Sequence, residues 1–225
     1  MTAKRALLGP VLWLLCVQFF VAEEIARFAW KSPYSMTRNY ISDLGAVHCS
    51  TSLAGMGIVC SPLHWLMNGS FLLQGLLIFC GTLLMRRFFP RGKLFTFALF
   101  LIAIAGFGVF VVGLAPEDVN FRLHSFAAAQ HFFCGNAGMA MLGIVVLSRS
   151  RSSLSRTFLW MGTLWMGTIS LAMGLAGLLG MLLLSQHSYL GCGVGGMERI
   201  VAYPLPIWLA GSGTLFLVSQ DIVAG

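Results

Sequence analysis

The sequence predicts an all-α integral membrane protein, built as a bundle of six transmembrane helices. Hydrophobic residues make up 58% of its 225 residues and charged residues only 9%, whereas a soluble domain has about a quarter of its residues charged. The apolar residues form long unbroken blocks, not the alternating runs of about ten residues that are typical of a membrane β-barrel. These observations exclude a soluble enzyme, a disordered tail and a nucleic-acid-binding protein.

Six apolar blocks are long enough for a helix to cross the hydrocarbon core, which takes about 20 residues. The predicted spans are residues 7–22, 63–85, 94–114, 124–147, 158–184 and 201–218. They account for most of the chain. We therefore predict one transmembrane domain over residues 1–225, with no separate soluble domain.

The connecting segments support this count. A basic turn at residues 86–93 follows the second block, and Pro116 breaks the chain after the third. A turn rich in serine and arginine, residues 148–156, follows the fourth block, and the glycine-rich residues 191–196 separate the last two. Glycine, proline and serine clusters of this kind mark loops. The longest connection, residues 23–62, is the predicted first loop.

The first block, residues 7–22, has an alternative interpretation as a cleaved signal peptide, with Lys4 and Arg5 as its basic region. A signal peptidase site requires small residues, whereas Phe20 stands at the end of this block. We therefore expect residues 7–22 to remain as the first span.

The basic residues predict the orientation. If Lys4 and Arg5 are cytoplasmic, the turns at residues 86–93 and 149–156 fall on the same side. Lysine and arginine are enriched in the cytoplasmic loops of membrane proteins. We predict that both termini are cytoplasmic, that the long first loop is extracytoplasmic and that the protein lies in the cell membrane. The net charge of +7 is then a topology signal.

Groups that can ionise or coordinate gather on the predicted extracytoplasmic side. All five histidines and six of the seven acidic residues lie there or near that membrane edge. This distribution predicts an outward-facing polar site. The candidate acid–base residues are Asp43, His124, His131 and Glu198. The candidate binding residues are Arg38, Asn39, His64, Asn68, Asp118, Asn136 and Arg199.

The histidines do not have the spacing of a metal site. His124 and His131 are seven residues apart and so share a face of the fourth span. A catalytic zinc ion needs three protein ligands and a water, and the sequence has no H-x-x-x-H or H-E-x-x-H motif. We therefore predict no cofactor and no haem between His64 and His131, and we expect these histidines to lie at the interface or to be hydrogen-bonded within the bundle. A metal ion whose site Asp118, Glu198 or Asp43 completes is the alternative, which the spacing does not support.

Several polar residues keep two interpretations. Arg199 either holds an anionic group in the bidentate way that guanidinium favours, or it pairs with Asp43 or Asp118 and fixes the loops. Asp43 itself either takes part in chemistry or accepts hydrogen bonds that fix the first loop as a lid. Asn136 and Gln74, the deepest polar groups of their spans, either bond each other or line a cavity.

The cysteines predict one disulfide. Cys49 and Cys60 are eleven residues apart in the first loop, on a side where disulfides form and persist. We predict a Cys49–Cys60 bond. Cys192 is then an odd thiol on the same side, and pairing of Cys192 with either of them is the alternative.

Several of these residues form motifs that resemble those of a known family. The motif residues are Tyr34, Ser35, residues 39–45, Cys49, residues 60–62, Asn68, Gly75, Pro116, His124, Ser125, Ala128, Gly135, Asn136, Glu198, Arg199, Tyr203 and Pro204. In these positions the chain resembles the prokaryotic membrane family catalogued as domain of unknown function 998. The resemblance implies a six-helix integral membrane protein and no established activity.

Three classes of function fit the sequence. The first is a membrane-embedded enzyme that acts on a lipid or isoprenoid headgroup. The second is a protein that binds or transports a small solute or lipid, and the third is a scaffold that contacts a partner through its first loop. In each case we expect membrane lipids around the protein, a ligand at the outer leaflet in the first two and no nucleic acid. The sequence leaves the ligand and the oligomeric state open.

Overall fold

A computed structural model describes the backbone of residues 3–30, 33–51, 57–150 and 157–224, and the side chains of residues 7–30, 33–51, 57–149 and 166–219. In this part of the chain, six helical segments are long and apolar enough to cross a membrane. They are Leu7–Phe28, His64–Phe88, Lys93–Leu114, Phe121–Arg149, Met166–Ser185 and Gly193–Ser219. The predicted class, a helical multi-pass membrane protein, is confirmed.

The first span consists of helix α1 (Ala3–Leu14), a 3₁₀ turn (Leu15–Val17) and helix α2 (Gln18–Phe28). The prediction that this span ends at residue 22 was wrong. The helix continues because Glu23 is only 1% exposed and is paired inside the bundle, so its charge does not end the buried segment.

The four middle spans have nearly the predicted bounds. They are α3 (His64–Met85), α4 (Lys93–Leu114), α5 (Phe121–Ser150) and α6 (Thr157–Ser185). Each end lies within three residues of its predicted position. Lipid cannot hydrogen-bond to the backbone, so an unbroken helix is the expected form of these apolar blocks.

The last span is formed by α7 (Gly193–Ala202) and α8 (Pro204–Ala224). The predicted start at residue 201 was wrong, because the glycine-rich segment supplies the first turns of this span. Gly191 and Gly193 have φ values of 81° and 71°, a region that glycine enters without steric strain. The helix is interrupted at Tyr203, since Pro204 has no N–H to continue the hydrogen-bond ladder.

The helices pack in a simple order. Helices α3, α4, α5 and α6 each pack against the next, and the first span lies against α3 and α8. Glycines allow several of these contacts to be very close. A Cβ atom placed on Gly75 would lie 2.7 Å from the carbonyl oxygen of Gly106, and one on Gly174 would lie 2.4 Å from the backbone nitrogen of Ala140. Small residues are used in this way where helices meet in lipid.

The first loop folds back onto the bundle. It contains a 3₁₀ turn (Ser42–Gly45) and two short antiparallel strands, β1 (Ser50–Thr51) and β2 (Ile58–Val59), with Ser50 opposite Val59. Cys49 and Cys60 flank the strands and are bonded to each other, as predicted. Cys192 is a free cysteine in the described structure.

We call the side of the bundle that carries this loop the loop side, and the side that carries the 3₁₀ turn Arg86–Phe88 the basic side. The side chains of Lys4, Arg5, Arg151 and Arg156, on which the orientation partly depends, lie outside the described residues. The cytoplasmic location of both termini, the choice of the cell membrane and the extension of one domain over residues 1–225 stay predictions.

Candidate functional site

The polar residues of the loop side form three adjoining groups. We call them the arginine hub, centred on Arg199, the carboxyl pair, made of Asp43 and Glu117, and the histidine cavity, which His124 and His131 line. The hub and the carboxyl pair hold the first loop against the bundle. The cavity lies beneath the loop.

In the arginine hub, Arg199 of α7 binds Glu23 of α2. Its Nε and Nη2 donate to Glu23 Oε1 at 3.1 and 2.9 Å. The hydroxyl of Tyr203 also donates to Glu23, at 2.9 Å from each carboxylate oxygen. Arg199 and Glu23 are 6% and 1% exposed. A buried ion pair of this kind persists only where further hydrogen bonds satisfy both partners.

The other contacts of Arg199 reach the first loop. Its Nη1 donates to the carbonyl oxygens of Met36 and Asn39 at 2.9 and 3.0 Å, and to that of Gly195 at 3.0 Å. Its Nη2 also donates to the hydroxyl oxygen of Tyr34 at 2.6 Å. Every guanidinium nitrogen therefore already has a protein acceptor.

These contacts decide between the interpretations of the arginine. Arg199 fixes the loop, but its carboxylate partner is Glu23 and not Asp43 or Asp118. Tyr34 donates its own proton to the carbonyl oxygen of Tyr40 at 2.8 Å, and burial raises the pKa of Tyr34, so the phenol stays neutral. In this arrangement the hub acts as a fastener between the loop and two spans.

The carboxyl pair lies beside the hub. Asp43 is fully buried, and its Oδ2 accepts hydrogen bonds from Asn39 Nδ2 and the Tyr40 backbone nitrogen at 3.1 and 3.0 Å. Its Oδ1 has no partner among the described residues. Glu117, between α4 and α5, accepts a hydrogen bond from Ser42 Oγ at 2.6 Å and interacts with the Asp43 carboxyl.

Burial is the main cause that raises the pKa of Glu117 to about 9, and the neighbouring Asp43 adds to it. Glu117 is therefore protonated at neutral pH. A protonated carboxyl is a hydrogen-bond donor, which is what Asp43 Oδ1 lacks. A proton on Glu117 would supply this donor, and the interaction between the two carboxyl groups ties the loop to the turn between α4 and α5.

The remaining predicted binding residues mostly hold the loop in place. Asp118 accepts bonds from the backbone nitrogens of Val47 and His48 at 3.1 and 2.7 Å, and from His48 Nδ1 at 2.9 Å. Burial alone would raise the pKa of Asp118, but these hydrogen bonds outweigh it and lower the pKa. Asn68 donates to the Gly45 carbonyl oxygen at 2.8 Å.

Two predicted binding residues lie at the margin of these groups. His64 Nδ1 lies 3.0 Å from the carbonyl oxygen of Ser61, at the start of α3. The side chain of Arg38 is exposed on the first loop. Neither residue lines the histidine cavity, so the structure does not bring them together with His124, His131 and Glu198.

The histidine cavity has a volume of about 40 Å³. A water molecule needs roughly 10–15 Å³ by this measure, so the space accepts a few waters or the head of a small ligand. Its walls come from the first, second, third, fourth and last spans and from the first loop. The lining residues are Phe19, Ile41, Ser42, Phe71, Gln74, Val109, Val112, His124, Ala128, His131, Phe132, Glu198, Ala202 and Pro206.

The backbone fixes the tautomer of both histidines in the cavity wall. His124 Nδ1 lies 2.9 Å from the carbonyl oxygen of Ala115, and His131 Nδ1 lies 2.8 Å from that of Ala105. A carbonyl oxygen can only accept, so each Nδ1 carries the hydrogen. In a neutral imidazole the other nitrogen, Nε2, then has a free lone pair. Both rings therefore offer an acceptor, or a base, in the wall of the cavity.

Gln74 contributes a donor to the same cavity. Gln18 Nε2 donates to the Ser70 carbonyl oxygen at 3.2 Å and to Gln74 Oε1 at 3.0 Å. Because the Ser70 carbonyl can only accept, the orientation of the Gln18 amide is fixed, and that of Gln74 follows from it. Gln74 Nε2 has no oxygen or nitrogen partner in the described part of the chain, although Gln74 is only 2% exposed. The Gln74 side chain interacts with the Cys16 thiol, but sulfur is a weak acceptor.

Glu198 and Asn136 were both predicted site residues, but they have different surroundings. Glu198 lines the cavity, and its Oε2 accepts a hydrogen bond from the Ile41 backbone nitrogen. Asn136 does not line it. Its Nδ2 donates to the Val201 carbonyl oxygen at 3.0 Å, and its side chain packs against Gly177, where a Cβ would lie 2.0 Å from Asn136 Oδ1. Asn136 thus joins α5 to α6 and α7.

The described residues contain no group of three or more histidine, cysteine, aspartate or glutamate side chains that could hold a metal ion. His124, His131 and Glu198 line one cavity without forming such a cluster. The absence of a metal or cofactor from the function stays a prediction.

Glu23 and Glu117 were not selected from the sequence, and Tyr34, Ser42 and Tyr203 were named only as residues of the family motifs, without a role. A signal was available for the two acids, since Glu23 directly follows an apolar block and Glu117 lies three residues after another. The roles of the tyrosines had no such signal, because their partners are distant in the chain.

A helical multi-pass membrane protein whose first loop is fastened over a small polar cavity is the class that these observations define. The chain belongs to the family described as Protein of unknown function (DUF998), which matches residues 7–215. No curated protein and no solved structure matches the chain.

Proposed function

We propose that this protein binds a small amphiphilic ligand in the histidine cavity, and that it takes this ligand from the outer leaflet of the cell membrane. The observation that carries the proposal is the unpaired Gln74 amide in the cavity wall. A buried polar group without a partner costs about 1–3 kcal/mol. A ligand that supplies the missing acceptor would recover this free energy.

The shape and lining of the cavity support an amphiphile. Ligand pockets combine a mostly apolar wall with a few convergent polar groups. Here aromatic and aliphatic side chains surround the two imidazoles, the amide and the Glu198 carboxyl. Ala128 and Phe132 are the half-buried members of the lining, so a ligand chain would pass between them to reach the lipid.

A cavity-filling variant tests this proposal. Ala128→Leu would place additional carbon atoms in the cavity, whereas Ala129→Leu is a matched control, since Ala129 is exposed one position further along α5. We expect a small molecule to copurify with the wild type and with A129L but not with A128L, as measured by native mass spectrometry from native membranes. The same ligand content in A128L and A129L would contradict binding in the cavity.

A membrane-embedded enzyme acting on a lipid or isoprenoid headgroup is a second candidate. It is favoured by the free Nε2 lone pairs of His124 and His131, which suit a general base. Ser42, which lines the cavity, is hydrogen-bonded to Glu117 and provides a hydroxyl group at its roof.

The enzyme candidate has its own test. Purified protein in lipid nanodiscs would be incubated with a lipid extract of the native membrane, and conversion of any species would be followed by mass spectrometry. The candidate requires conversion by the wild type that is lost in His124→Gln or His131→Gln. Conversion that survives both substitutions, or no conversion in the wild type, would leave binding as the function.

A further inference from the structure

We infer that the ligand of the histidine cavity presents a hydroxyl group. It is an alcohol with an apolar chain, and its head is neither a phosphate nor a carboxylate. This inference rests on the proposed function and names the chemical class of its ligand. It follows from which hydrogen-bonding groups in the cavity wall are already satisfied and which are not.

The cavity offers more acceptors than donors. The two imidazole Nε2 atoms accept, since each Nδ1 is bound to a backbone carbonyl. The Glu198 carboxyl adds Oε1, since its Oε2 already accepts a hydrogen bond from the Ile41 backbone nitrogen, and a buried carboxyl that holds a proton also donates. The unpaired donor is Gln74 Nε2, because the Ser42 hydroxyl is already directed to Glu117.

This inventory disfavours an anionic head. A phosphate or carboxylate brings only acceptors, which would face the lone pairs of the two imidazole Nε2 atoms. The neighbouring cation, Arg199, has its nitrogens engaged by protein acceptors. In this arrangement Arg199 has no free donor with which to hold an anion, which was one of its two interpretations from the sequence.

An ammonium or a hydrocarbon also fits less well. An ammonium head has donors only, so it would satisfy the imidazoles but place its N–H groups against the Gln74 amide N–H groups. A hydrocarbon would leave Gln74 unpaired. A hydroxyl group both donates and accepts, so it can donate to an imidazole Nε2 while it accepts from Gln74 Nε2.

The volume limits how much of the ligand enters. About 40 Å³ has room for a hydroxyl group and the first carbon atoms beside it, judged against the 10–15 Å³ of one water. The remaining chain would leave past Ala128 and Phe132 toward the hydrocarbon core. An alcohol with a long chain therefore fits better than a polyol, whose several hydroxyl groups would need partners.

Four probes with the same chain length test the inference: decanol, decylamine, decyl phosphate and decane. Each is added to the full-length protein in phosphatidylcholine nanodiscs, and the thermal midpoint is measured for the wild type, A128L and A129L. The difference between the wild type and A128L isolates binding in the cavity from general effects on the bilayer. A129L shows whether a larger side chain on α5 alters the midpoint by itself.

We expect decanol to raise the midpoint of the wild type and A129L but not that of A128L. Gln74→Met should weaken the apparent decanol affinity by roughly five- to tenfold, the effect of one lost hydrogen bond. Because A128L and A129L give the comparison independently, the test does not depend on the stability of the Gln74 variant.

The outcomes separate the two proposals. For each probe, the relevant quantity is the rise in the thermal midpoint of the wild type beyond that of A128L. If this rise is as large for decyl phosphate, decylamine or decane as for decanol, or larger, the ligand class is wrong but the cavity still binds a ligand. If no probe distinguishes the wild type from A128L, both the alcohol inference and binding in the cavity are contradicted.

Discussion

At the scale of single residues, the guanidinium group of Arg199 joins three parts of the chain. It binds Glu23 of the first span, backbone carbonyls of the first loop and the Gly195 carbonyl of its own helix. The contribution of Arg199 to the stability of the fold therefore depends on both the charge and the planar shape of its guanidinium group. Lysine carries the charge but cannot form the same set of bonds.

Arg199→Ala should destabilise the protein by about 3–5 kcal/mol, because it leaves the Glu23 carboxylate buried without its partner. Arg199→Lys should recover only part of this loss. The free energy of unfolding in mixed detergent measures both effects. The matched control is Arg27→Ala, since Arg27 and Glu24 form a partly exposed pair at the surface, for which about 0–1 kcal/mol is typical. Equal losses at Arg199 and Arg27 would contradict the hub.

Glu117 should make stability depend on pH. Its pKa in the folded protein is about 9, against an ordinary value of 4.5. Between these values the folded state holds a proton that the unfolded state has lost, so the contribution of Glu117 is complete below about pH 4.5, declines as the pH rises and is lost above about pH 9.

Glu117→Gln should therefore flatten the decline of the thermal midpoint between about pH 6 and pH 9. Glutamine keeps the size of the side chain and donates a hydrogen bond at every pH. The control is Glu24→Gln, which changes an acid paired at the surface with Arg27 and should leave the decline as it is in the wild type. A wild-type midpoint that is constant or rises over this range would contradict a protonated Glu117.

At the scale of helices, close glycine contacts set the distances between spans. Gly174 of α6 faces the backbone of α5 so closely that a Cβ would lie 2.6 Å from the Asn136 carbonyl oxygen. Gly211 of α8 is different, because a Cβ there would meet no atom of the described structure within 4 Å.

Gly174→Ala should destabilise the bundle by roughly 1–3 kcal/mol, the usual effect of overpacking. Gly211→Ala should be neutral or slightly stabilising, since alanine is the better helix former. Unfolding of the two variants side by side tests the difference. If Gly211→Ala lowers the free energy of unfolding as much as Gly174→Ala does, the α5–α6 contact is not the cause of the loss.

Helices were predictable from the sequence where length and apolarity alone decide, as in α3 and α4. The prediction failed where a polar residue is buried by a distant partner. The first span was predicted to end at residue 22, yet the helix continues through Glu23, which lies inside the bundle against Arg199, 176 residues away. Helix α7 likewise begins at Gly193, in a segment whose glycines predicted a loop.

The candidate site shows the same limit. His124, His131 and Glu198 were found because titratable residues are rare in an apolar chain, and they line one cavity. Their grouping with Gln74 could not be derived from spacing, since it depends on how three spans pack. Glu117 was missed because its environment is set by Asp43 and Ser42 of a different segment.

At the scale of the whole molecule, charge and chemistry lie at opposite ends of the bundle. The turn between α3 and α4 carries basic residues, whereas Asp43, Glu117 and Asp118 lie in the first loop and in the turn between α4 and α5. His48 lies in the same loop, and His64 and His124 lie at the adjoining ends of α3 and α5. If the positive-inside rule holds for this chain, the cavity opens toward the outer leaflet.

Cysteine labelling tests that orientation. In a background without the four free cysteines, Arg91→Cys lies on the basic side and Val119→Cys on the loop side, and both positions are exposed. We expect a membrane-impermeant maleimide to label V119C in intact cells and R91C only after permeabilisation. Labelling of both positions in intact cells, or the reverse order, would contradict the orientation and the outer-leaflet origin of the ligand.

The central claim is that two imidazoles offer free Nε2 lone pairs to a hydroxyl group in the cavity. Nitrogen-15 NMR of histidine-labelled protein in bilayers tests it directly, with His124→Gln and His131→Gln used to assign the signals. The account predicts the Nδ1–H tautomer for both residues, and a shift of at least one Nε2 signal on addition of decanol that is absent in A128L. An Nε2–H tautomer in both rings, or Nε2 signals that decanol leaves unchanged, would contradict it.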